Sequence, residues 1–457
     1  SRNKESIKDN ILYLLKGRNI DCLINTNNSI IDEIYNSIKE KTTFTYINDF
    51  SNILELGDKN VTTRRLAYEI VSSYYKETLL KDNNEMYTLS IVLNLHREGD
   101  VAARTFSNLK DILDYHNLFK LWYNIELVVI LDNADDETKH IASSFGNIIN
   151  RIEIVDFKEP GLSRNYGVEI SNNNFILFLD GDDLFSLNML NELFLKTCKY
   201  YNSIVTNEHE LYKLESNRHV ALYPSVYVEF PDLYIHLFLD LNDIIKINSM
   251  FLHFFTCRIM CFRKLLLDNM FRTARAPYGY EDWDINNCLL SKSVNFLTAN
   301  YTVYYRRGKG NSTLDYHTIN KTVVRNSELY KQNVVIVEED VDCEKNKNDF
   351  IEYYRKNKDH ILDKYKEMIS SYEECNFTEK ERPIGCYYKQ SKFIIDEVKS
   401  YIKLIEFFKD KDFIYFVPWV VLGGADKLVI EHTSVLNDSS YKPCIITTLK
   451  PGERIDK

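Results

Sequence analysis

Short apolar runs typical of strands alternate with segments of helical spacing between residues 87 and 183, and this alternation limits the fold more than any other feature of the chain. The predicted strands are YTLSIVLNL (87–95), IELVVILDN (125–133), NRIEIVDF (150–157) and NFILFLDGDD (174–183). The segments RTFSNLKDILDYH (104–116) and LSRNYGVEI (162–170) have helical spacing. Continuously apolar strands separated by helices predict an α/β domain whose mainly parallel sheet is covered by helices on both faces.

The segments on either side of this domain have a different pattern. Residues 1–86 place apolar residues at intervals of three and four, which predicts a helical N-terminal region that serves as a packing or spacer module. Residues 311–410 are charged and helix-like, and we expect a helical linker there. In residues 411–457 the pattern predicts a strand, a glycine turn at Gly423 and Gly424, a helix and a second strand, as at the start of another α/β domain.

Composition argues against several classes of protein. The formal net charge is −10, whereas a nucleic-acid scaffold would need a basic surface, so we expect no nucleic-acid partner. Nine cysteines without a CxxC pair fit free thiols in a reducing compartment, which predicts a cytoplasmic location. The apolar run 247–262 is interrupted by Asn248, His253 and Arg258, so it predicts a buried element and not a transmembrane segment.

The fourth predicted strand ends in three carboxylates, those of Asp180, Asp182 and Asp183. In parallel sheets, ligands bind beyond the carboxyl ends of the strands, and Asp132 ends another strand at the same edge. Clustered carboxylates repel one another unless a cation neutralises them, and their hard oxygens suit Mn²⁺ or Mg²⁺. The cluster therefore predicts a divalent-metal site. The alternative is that Asp182 and Asp183 only cap the following helix.

Four stretches in order, LSIVLNLHREG, VVILDNADDET, EPGLSRNYGVEISNNNFILFLDGDD and GYEDWDINNCLL, resemble a family-2 glycosyltransferase with the GT-A fold. The resemblance covers residues 87–310, and its most specific parts are the block 161–183 and the Glu-Asp pair that follows. It implies a Rossmann-like GT-A domain between helical N-terminal and C-terminal extensions. The implied donor substrate is a nucleotide-diphosphate sugar.

The resemblance also implies roles for individual residues. Asp132 would contact the nucleotide base, Arg164 would lie beside the nucleotide, and Asp180 would lie near the ribose. Asp182 would hold the divalent ion against the diphosphate, with Asp180 and Asp183 as neighbouring metal ligands.

The catalytic base maps onto Asp282, with Glu281 beside it. Glycosyl transfer needs a deprotonated acceptor hydroxyl and a stabilised diphosphate leaving group, and a base on the face opposite the leaving group gives inversion. The alternative for Asp282 is a helix N-cap. Trp283 is open to two roles, stacking on an acceptor sugar or packing in the core.

Two segments depart from the family's pattern. The first strand ends in and is followed by polar residues that we expect to face the base pocket, although a lone histidine such as His96 is more often structural: Asn94, His96 and Arg97. The segment 304–313 lies where relatives carry a flexible stretch over the diphosphate, often with a metal-binding histidine. Here it carries cations that either bind phosphate directly or form a solvated loop: Arg306, Arg307 and Lys309.

The sequence thus predicts a metal-dependent, inverting glycosyltransferase acting on a glycan or lipid-linked glycan acceptor, in the synthesis of bacterial surface polysaccharide such as capsule or O-antigen. A lipid-linked acceptor would bring it to the inner face of the cell membrane. Two alternatives stay open: a sugar-phosphate nucleotidyltransferase, or a non-catalytic glycan- or partner-binding module of a larger synthase. Because GGADK (423–427) resembles the opening of a GT-B glycosyltransferase, we expect the chain to be the front part of a larger protein with two transferase modules.

Overall fold

The structure is a computed structural model, and it divides the chain into two compact units, Ser1–Tyr387 and Tyr388–Lys457. The residues that it describes are 22–24, 45–47, 84–117, 121–238, 249, 253, 255–274, 277–308, 319, 322–325, 327–331, 358–359, 361–378, 385–386, 407–417 and 424–447. In the N-terminal region two short strands, β1 (Cys22–Ile24) and β2 (Thr45–Ile47), pair in parallel. Apart from these strands and residues 84–86, the predicted helical region 1–86 lies outside the described residues.

Among the described residues of the first unit, ten strands form one sheet. They are β3 (Thr88–Leu95), β4 (Asn124–Asp132), β5 (Arg151–Val155), β6 (Phe175–Asp180), β7 (Leu184–Phe185), β8 (Val220–Phe230), β9 (Tyr234–Leu237), β10 (Met260–Phe262), β11 (Asn295–Arg307) and β12 (Gly385–Cys386). The helices are α1 (Asp100–Asn117), α2 (Asp136–Ser144), α3 (Pro160–Ile170), α4 (Met189–Tyr201), α5 (Glu208–Lys213), α6 (Arg263–Leu267), α7 (Glu281–Ser291) and α8 (361–370). Short 3₁₀ helices lie at Asn84–Met86, Ser216–Arg218 and Glu328–Lys331.

The strand order is β12-β9-β8-β10-β6-β3-β4-β5, with β11 pairing both β8 and β7. The four strands β6, β3, β4 and β5 are mutually parallel, so the prediction of a mainly parallel α/β sheet of GT-A type is confirmed. The chain runs from β3 outward through β4 to β5 and then returns to β6 on the other side of β3. Strands β3 and β6 therefore flank a topological switch point, where ligands of such sheets bind.

The parallel strands at the centre of the sheet are buried on both faces. Leu89, Ile91, Val92 and Leu93 of β3 have no solvent exposure, and Ser90 between them is also buried, so both faces of this strand are covered. The outer strand β5 is less covered, and its Ile154 is 66% exposed.

Two glycines allow close approaches that any side chain would prevent. A Cβ atom on Gly167 in α3 would lie less than 3.0 Å from Val92 of β3, and one on Gly181 would lie less than 3.0 Å from Leu95. Gly167 therefore lets α3 pack tightly on the central strand, and Gly181 lets the chain after β6 pass the end of β3. Both positions lie in the block 161–183 that the sequence analysis found most specific.

The two helix-capping alternatives are not realised in this fold. The chain after Asp183 first forms β7, and α4 begins at Met189 with Asn188 as its N-cap residue. Helix α7 has Tyr280 as its N-cap residue, in the left-handed conformation with φ of 58°. Asp182, Asp183 and Asp282 therefore do not serve as N-caps.

Helix α8 lies within the predicted linker but packs against the sheet. Its buried apolar residues join a cluster contributed by β7, β8, β9 and β11, and the helix residues are Ile361, Leu362, Tyr365 and Ile369. Beyond the helix, Thr378 bonds to the backbone oxygen of Pro231 at 3.0 Å. This part of the linker is therefore integral to the first unit, while the domain boundaries as a whole stay a prediction.

The second unit contains the strand, helix and strand that its pattern predicts. Strand β13 (Phe413–Val417) and strand β14 (Pro443–Thr447) are parallel neighbours, and α9 (Gly424–Asp438) connects them. Gly423 lies outside the described residues. The assignment of this unit to a GT-B domain stays a prediction. Across the part of the chain that the structure describes, helices with the length and apolarity needed to span a bilayer are absent.

We predict that Ile369→Ala lowers the free energy of unfolding of the first unit by about 2–5 kcal/mol, because the fully buried side chain leaves a cavity between α8 and the sheet. Urea denaturation measures this change. The matched control is Ser370→Ala at the next, exposed position, which should stay within about 0.5 kcal/mol of the parent. Equal effects of the two substitutions would contradict the packing of α8 against the sheet.

Candidate active site

The candidate site lies at the carboxyl edge of the sheet, at the switch point between β3 and β6. Asn94 near the end of β3 is in register with Asp180 at the end of β6. Asp180, Asp182 and Asp183 each offer one carboxylate oxygen, and these three oxygens lie within 4.8 Å of one another. The structure therefore brings together the carboxylates that the sequence analysis grouped.

The positive partner of this acidic cluster is Arg258. Its Nη2 lies 2.7 Å from Asp180 Oδ2, its Nε donates to Asp183 Oδ2 at 2.9 Å, and its Nη2 also pairs with Asp183. Strand β10 runs antiparallel to β6, and this register places the residue beside the end of β6. Its guanidinium also lies 4.8 Å from the centre of the Tyr304 ring, and the Tyr304 hydroxyl donates to Asp183 at 3.0 Å. Arg258 is thus a built-in cation that joins two of the three carboxylates.

A second guanidinium, that of Arg164 in α3, connects the end of β6 with the start of α7. Its Nη2 donates to Asp180 Oδ1 and its Nη1 donates to Glu281 Oε1, both at 3.0 Å. The residue is 3% exposed, so these charge-assisted bonds lie away from water, where they are strong. Arg164 therefore fixes the predicted nucleotide side of the site relative to the predicted base.

Asp180 is held in its charged form by these two arginines. Burial by itself would raise the pKa of this carboxyl, but the positive charges of Arg258 and Arg164 outweigh burial and hold the pKa well below its usual value. For Asp183, burial dominates over the attraction of Arg258, and together with the charges of Asp182 and Asp180 it raises the pKa. One carboxylate of the cluster is thus firmly ionised, while its buried neighbour resists carrying a full charge unless more positive charge arrives.

The residues present fit a divalent cation at one side of the cluster. Asp183 Oδ1 is buried and has no hydrogen-bond partner among the described residues. Both oxygens of Asp180 are already engaged by arginines. A cation could therefore be held by Asp182 and Asp183, whereas Asp180 has its charge compensated within the protein.

Asp132, at the end of β4, holds the loop that leads into α3. Its Oδ1 accepts from the backbone N–H of Lys158 at 2.8 Å, and its Oδ2 accepts from the N–H of Glu159 at 3.1 Å and from the Ser163 hydroxyl at 2.7 Å. This carboxylate thereby positions the helix that carries Arg164. The predicted contact with a nucleotide base stays a prediction.

The three polar residues after the first strand differ in their surroundings. Asn94 has a buried side-chain amide with no hydrogen-bond partner for either polar atom among the described residues, which suits a group that pairs with a ligand. His96 is exposed and donates its Nδ1–H to the backbone oxygen of Asp132 at 2.6 Å. Arg97 is also exposed, and its Nε lies 3.5 Å from the backbone oxygen of Asn133. All three lie at the predicted edge, and their binding roles stay predictions.

Asp282 lies in the first turn of α7 together with Glu281 and Trp283. Its Oδ1 accepts from the backbone N–H of Trp283 at 2.8 Å, while its Oδ2 lies 3.6 Å from His253 Nε2. The Trp283 indole donates to the backbone oxygen of Ser249 at 2.5 Å and stacks nearly parallel on the His253 ring. The Asp282 side chain is 21% exposed, so solvent reaches its carboxylate.

The predicted phosphate-binding cations at the end of β11 have acidic partners in this structure. Arg306 bonds to the Tyr227 hydroxyl at 3.2 Å and lies 3.5 Å from Glu229. Arg307 pairs with Glu373, which also accepts from Arg104 at 3.2 Å. Nε and Nη1 of Arg307 have no hydrogen-bond partner among the described residues, so the guanidinium keeps donors for another anion. Lys309 lies outside the described residues.

Three residues of the site escaped the sequence analysis as functional candidates: Arg258, His253 and Glu373. Arg258 and His253 both interrupt the apolar run 247–262. A charged residue within an otherwise buried run is the signal that could have found them, because burial of a charge requires a partner. Glu373 lies in a charged helical stretch and carries no such signal.

Comparison with known proteins agrees with this geometry. Residues 90–264 match Glycosyl transferase family 2. The chain contains a family 2 glycosyltransferase domain. The prediction of this family is confirmed for that segment, which includes Arg164, the acidic cluster and Arg258 and ends before Glu281 and Asp282.

Individual relatives of the family 2 domain are distant. The chain is 28% identical over 193 residues to Glycosyltransferase GlyA of Streptococcus pneumoniae, a match that covers 41% of this chain and 27% of GlyA. It is 24% identical over 102 residues to the uncharacterized glycosyltransferase YibD of Escherichia coli, covering 22% of this chain and 27% of YibD. The chain therefore spans only about a quarter of the length of these two relatives.

Solved structures similar to the chain include residues 1–349 of Staphylococcus aureus TarS, with 15% identity and a TM-score of 0.34, covering 48% of this chain and 60% of that one. Another is the mannosyltransferase PcManGT of Pyrobaculum calidifontis in complex with GDP-Man and Mn²⁺, with 12% identity and a TM-score of 0.35, covering 57% of this chain and 70% of that one. At these values the likeness is too distant to indicate a substrate for the family 2 domain.

We predict that Arg258→Met lowers the free energy of unfolding of the family 2 domain by about 3–5 kcal/mol, because it leaves Asp180 and Asp183 without the cation that joins them. Arg258→Lys should be less stable than the parent but more stable than Arg258→Met, since an ammonium keeps the positive charge but cannot reproduce the several N–H donors with which a guanidinium reaches both carboxylates. Urea denaturation tests both variants. The control is Arg151→Met, which removes an exposed ion pair with Glu153 and should cost no more than about 1 kcal/mol.

The lowered pKa of Asp180 gives its ion pairs a defined pH dependence. Their stabilisation is complete above the unfolded-state pKa of about 3.8 and is lost as the pH falls below that value towards the lower folded-state pKa. Asp180→Asn should therefore be less stable than the parent at pH 7, and the gap should narrow by about 1 kcal/mol for each pH unit below 3.8. Urea midpoints at pH 7 and pH 3 measure the gap. Asp114→Asn, in an exposed pair with Lys110, should show almost no gap at either pH.

Proposed function

We propose that the family 2 domain transfers a sugar from a nucleotide-diphosphate sugar to an acceptor hydroxyl, with inversion at the anomeric carbon and with the help of a divalent cation. The observation that carries this proposal is the pair of hydrogen bonds by which Arg164 joins Asp180 at the end of β6 to Glu281 at the start of α7. A donor group and a base must flank one reacting carbon, and this bridge brings the two candidate regions into one site.

On the donor side, two groups from different strands are available to a nucleotide diphosphate. The unpaired amide of Asn94 offers both a donor and an acceptor to the nucleoside. Arg307 offers a guanidinium near the acidic cluster, since the charges of Asp182 and Asp183 both act on its pKa. Such an arginine is suited to a diphosphate oxygen, because its fork matches phosphate geometry.

Asp182 and Asp183 would hold the cation, Mn²⁺ or Mg²⁺, with Asp183 using Oδ1, the oxygen that Arg258 does not engage. When bound, such an ion neutralises the negative charge that develops on the departing nucleoside diphosphate. Arg258 and Arg164 hold Asp180 ionised and in place, so that this carboxylate stays available to a ribose hydroxyl without repelling the diphosphate. The residual negative charge of the cluster is then small enough to be offset by one divalent ion.

On the acceptor side, Asp282 would act as the general base. Its carboxylate is partly exposed, one oxygen is oriented by the Trp283 backbone N–H, and the other is open towards His253. Removal of the acceptor proton raises the nucleophilicity of the hydroxyl as it attacks the anomeric carbon. Attack from the side opposite the diphosphate produces inversion.

The wider context is proposed by analogy with the family. The acceptor would be a glycan or a lipid-linked glycan of a bacterial surface polysaccharide, and a lipid-linked acceptor would place the protein in the cytoplasm at the inner face of the cell membrane. The second unit would belong to a further transferase module. A thermal-shift screen of uridine- and guanosine-diphosphate sugars, with and without Mn²⁺, identifies the donor.

We predict that Asp282→Asn retains binding of the nucleotide sugar but lowers turnover by about 10²–10⁴-fold, because the substitution removes only the base. Binding is measured by calorimetry, and turnover by release of nucleoside diphosphate. Release of pyrophosphate instead would indicate a nucleotidyltransferase. Turnover by Asp282→Asn at the parent rate would show that the base assignment is wrong.

Asp182→Ala provides the complementary variant for the donor side. It should lose the Mn²⁺-dependent part of nucleotide-sugar binding while keeping its fold, since Asp182 is only partly buried. If the parent binds a nucleotide sugar but neither hydrolyses nor transfers it, with Asp182 and Asp282 both intact, the domain is a non-catalytic binding module.

A further inference from the structure

We propose that His253 is a positioning residue for Asp282: it orients the carboxylic acid that forms when this aspartate takes the proton of the acceptor hydroxyl, and it then accepts that proton. This inference rests on the proposed function, because it requires Asp282 to be the base. His253 lies outside the acidic cluster, and the sequence analysis treated it only as an interruption of an apolar run.

The geometry that carries the inference is the approach of the imidazole to one specific carboxylate oxygen. His253 Nε2 lies 3.6 Å from Asp282 Oδ2, and this buried nitrogen has no hydrogen-bond partner among the described residues. The other oxygen, Oδ1, is engaged by the Trp283 backbone N–H. Once Asp282 carries the proton, a shift of a few tenths of an ångström is enough to form the hydrogen bond from its O–H to Nε2.

Trp283 fixes the plane in which the imidazole faces Asp282. The indole and imidazole rings are 5.6 Å apart between centres and inclined by only 10°. The indole is itself anchored by its bond to the backbone oxygen of Ser249 and by an edge contact with Tyr280. A stacked ring held in this way has its nitrogen aimed along the ring plane, towards Oδ2.

The reaction would first move a proton from the acceptor to Asp282. The acceptor O–H bond breaks, and its proton passes to Asp282 Oδ2. The acceptor oxygen then forms a bond to the anomeric carbon, and the bond from that carbon to the diphosphate oxygen breaks, with its electron pair remaining on the diphosphate. Rotation of the new carboxylic O–H about its C–O bond turns the proton towards His253 Nε2, which carries the lone pair when the neutral ring is protonated at Nδ1. The imidazolium then loses a proton to water through the exposed part of the ring, whose side chain is 26% exposed, and exchange with water returns the remaining proton to Nδ1.

The direction of this transfer follows from the chemistry of the two groups. In water an imidazole binds a proton more tightly than a carboxylate does, so a carboxylic acid formed during the reaction passes its proton to an adjacent neutral imidazole. The base is then regenerated before the next acceptor arrives. Asp282 is the acidic partner of His253 among the ion pairs of the described residues.

The test compares turnover of UDP-N-acetylglucosamine and GDP-mannose in Mn²⁺, with water as acceptor, by the full chain and by His253→Ala. We expect kcat to fall about 10- to 100-fold in His253→Ala while KM for the nucleotide sugar stays within about twofold, because the residue acts through the base and not on the donor. Added imidazole should restore at least part of kcat in this variant and none in Asp282→Asn. His140→Ala, at an exposed histidine of α2, is the matched control and should behave like the parent.

Two outcomes would overturn the inference and leave the proposed function intact: kcat of His253→Ala within twofold of the parent, or a loss of kcat that imidazole does not restore. If Asp282→Asn also turns over at the parent rate, the proposed function itself fails. A second experiment, without substrate, measures the melting temperatures of the parent, His253→Gln, Asp282→Asn and the double variant. Non-additive changes support the pair, whereas strictly additive changes show that the two side chains do not interact.

Discussion

Two buried guanidinium groups, those of Arg258 and Arg164, allow a strand at the centre of the sheet to end in a cluster of carboxylates. Asp180 accepts one of them on each oxygen, so the most central carboxylate of the site is charged, oriented and compensated without any ligand. Without these cations the cluster would face the cost of burying like charges close together, which is several kcal/mol for each uncompensated ion. The remainder of the site is arranged around this balance.

The same two arginines connect parts of the chain that are far apart. Arg164 ties α3 to both β6 and α7, and Asp132 in turn holds the loop that begins α3. Arg258 ties β10 to the turn after β6 and stacks on Tyr304 of β11. The contacts of Arg164 therefore hold the start of α7, which carries the proposed base Asp282, beside the acidic cluster, although the two come from separate segments.

The fold was largely predictable because its determinants are local. A strand buried on both faces is mostly apolar, and the predicted strands 87–95 and 174–183 contain the apolar stretches 89–93, interrupted only by Ser90, and 175–179. Gly167 and Gly181 were visible as parts of a motif, although only the structure shows that Val92 and Leu95 occupy the space that a side chain would need. Helix α8 was predicted as a helix within a linker, but its burial against β8 and β11 depends on a surface that forms only when the sheet is complete.

The sequence by itself determined which carboxylates and amides would lie at the carboxyl edge of the sheet, because the position and the end of a strand can be predicted from neighbouring residues. Asn94, Asp132 and Asp180 are among these residues. The tertiary structure decided which cations neutralise them. Arg258 lies 75 residues from Asp183, just before a three-residue strand that is too short to show a pattern, and Glu373 lies 269 residues from its partner Arg104. Electrostatic pairing depends on distance in space and on exclusion of water, and neither quantity has a period along the chain.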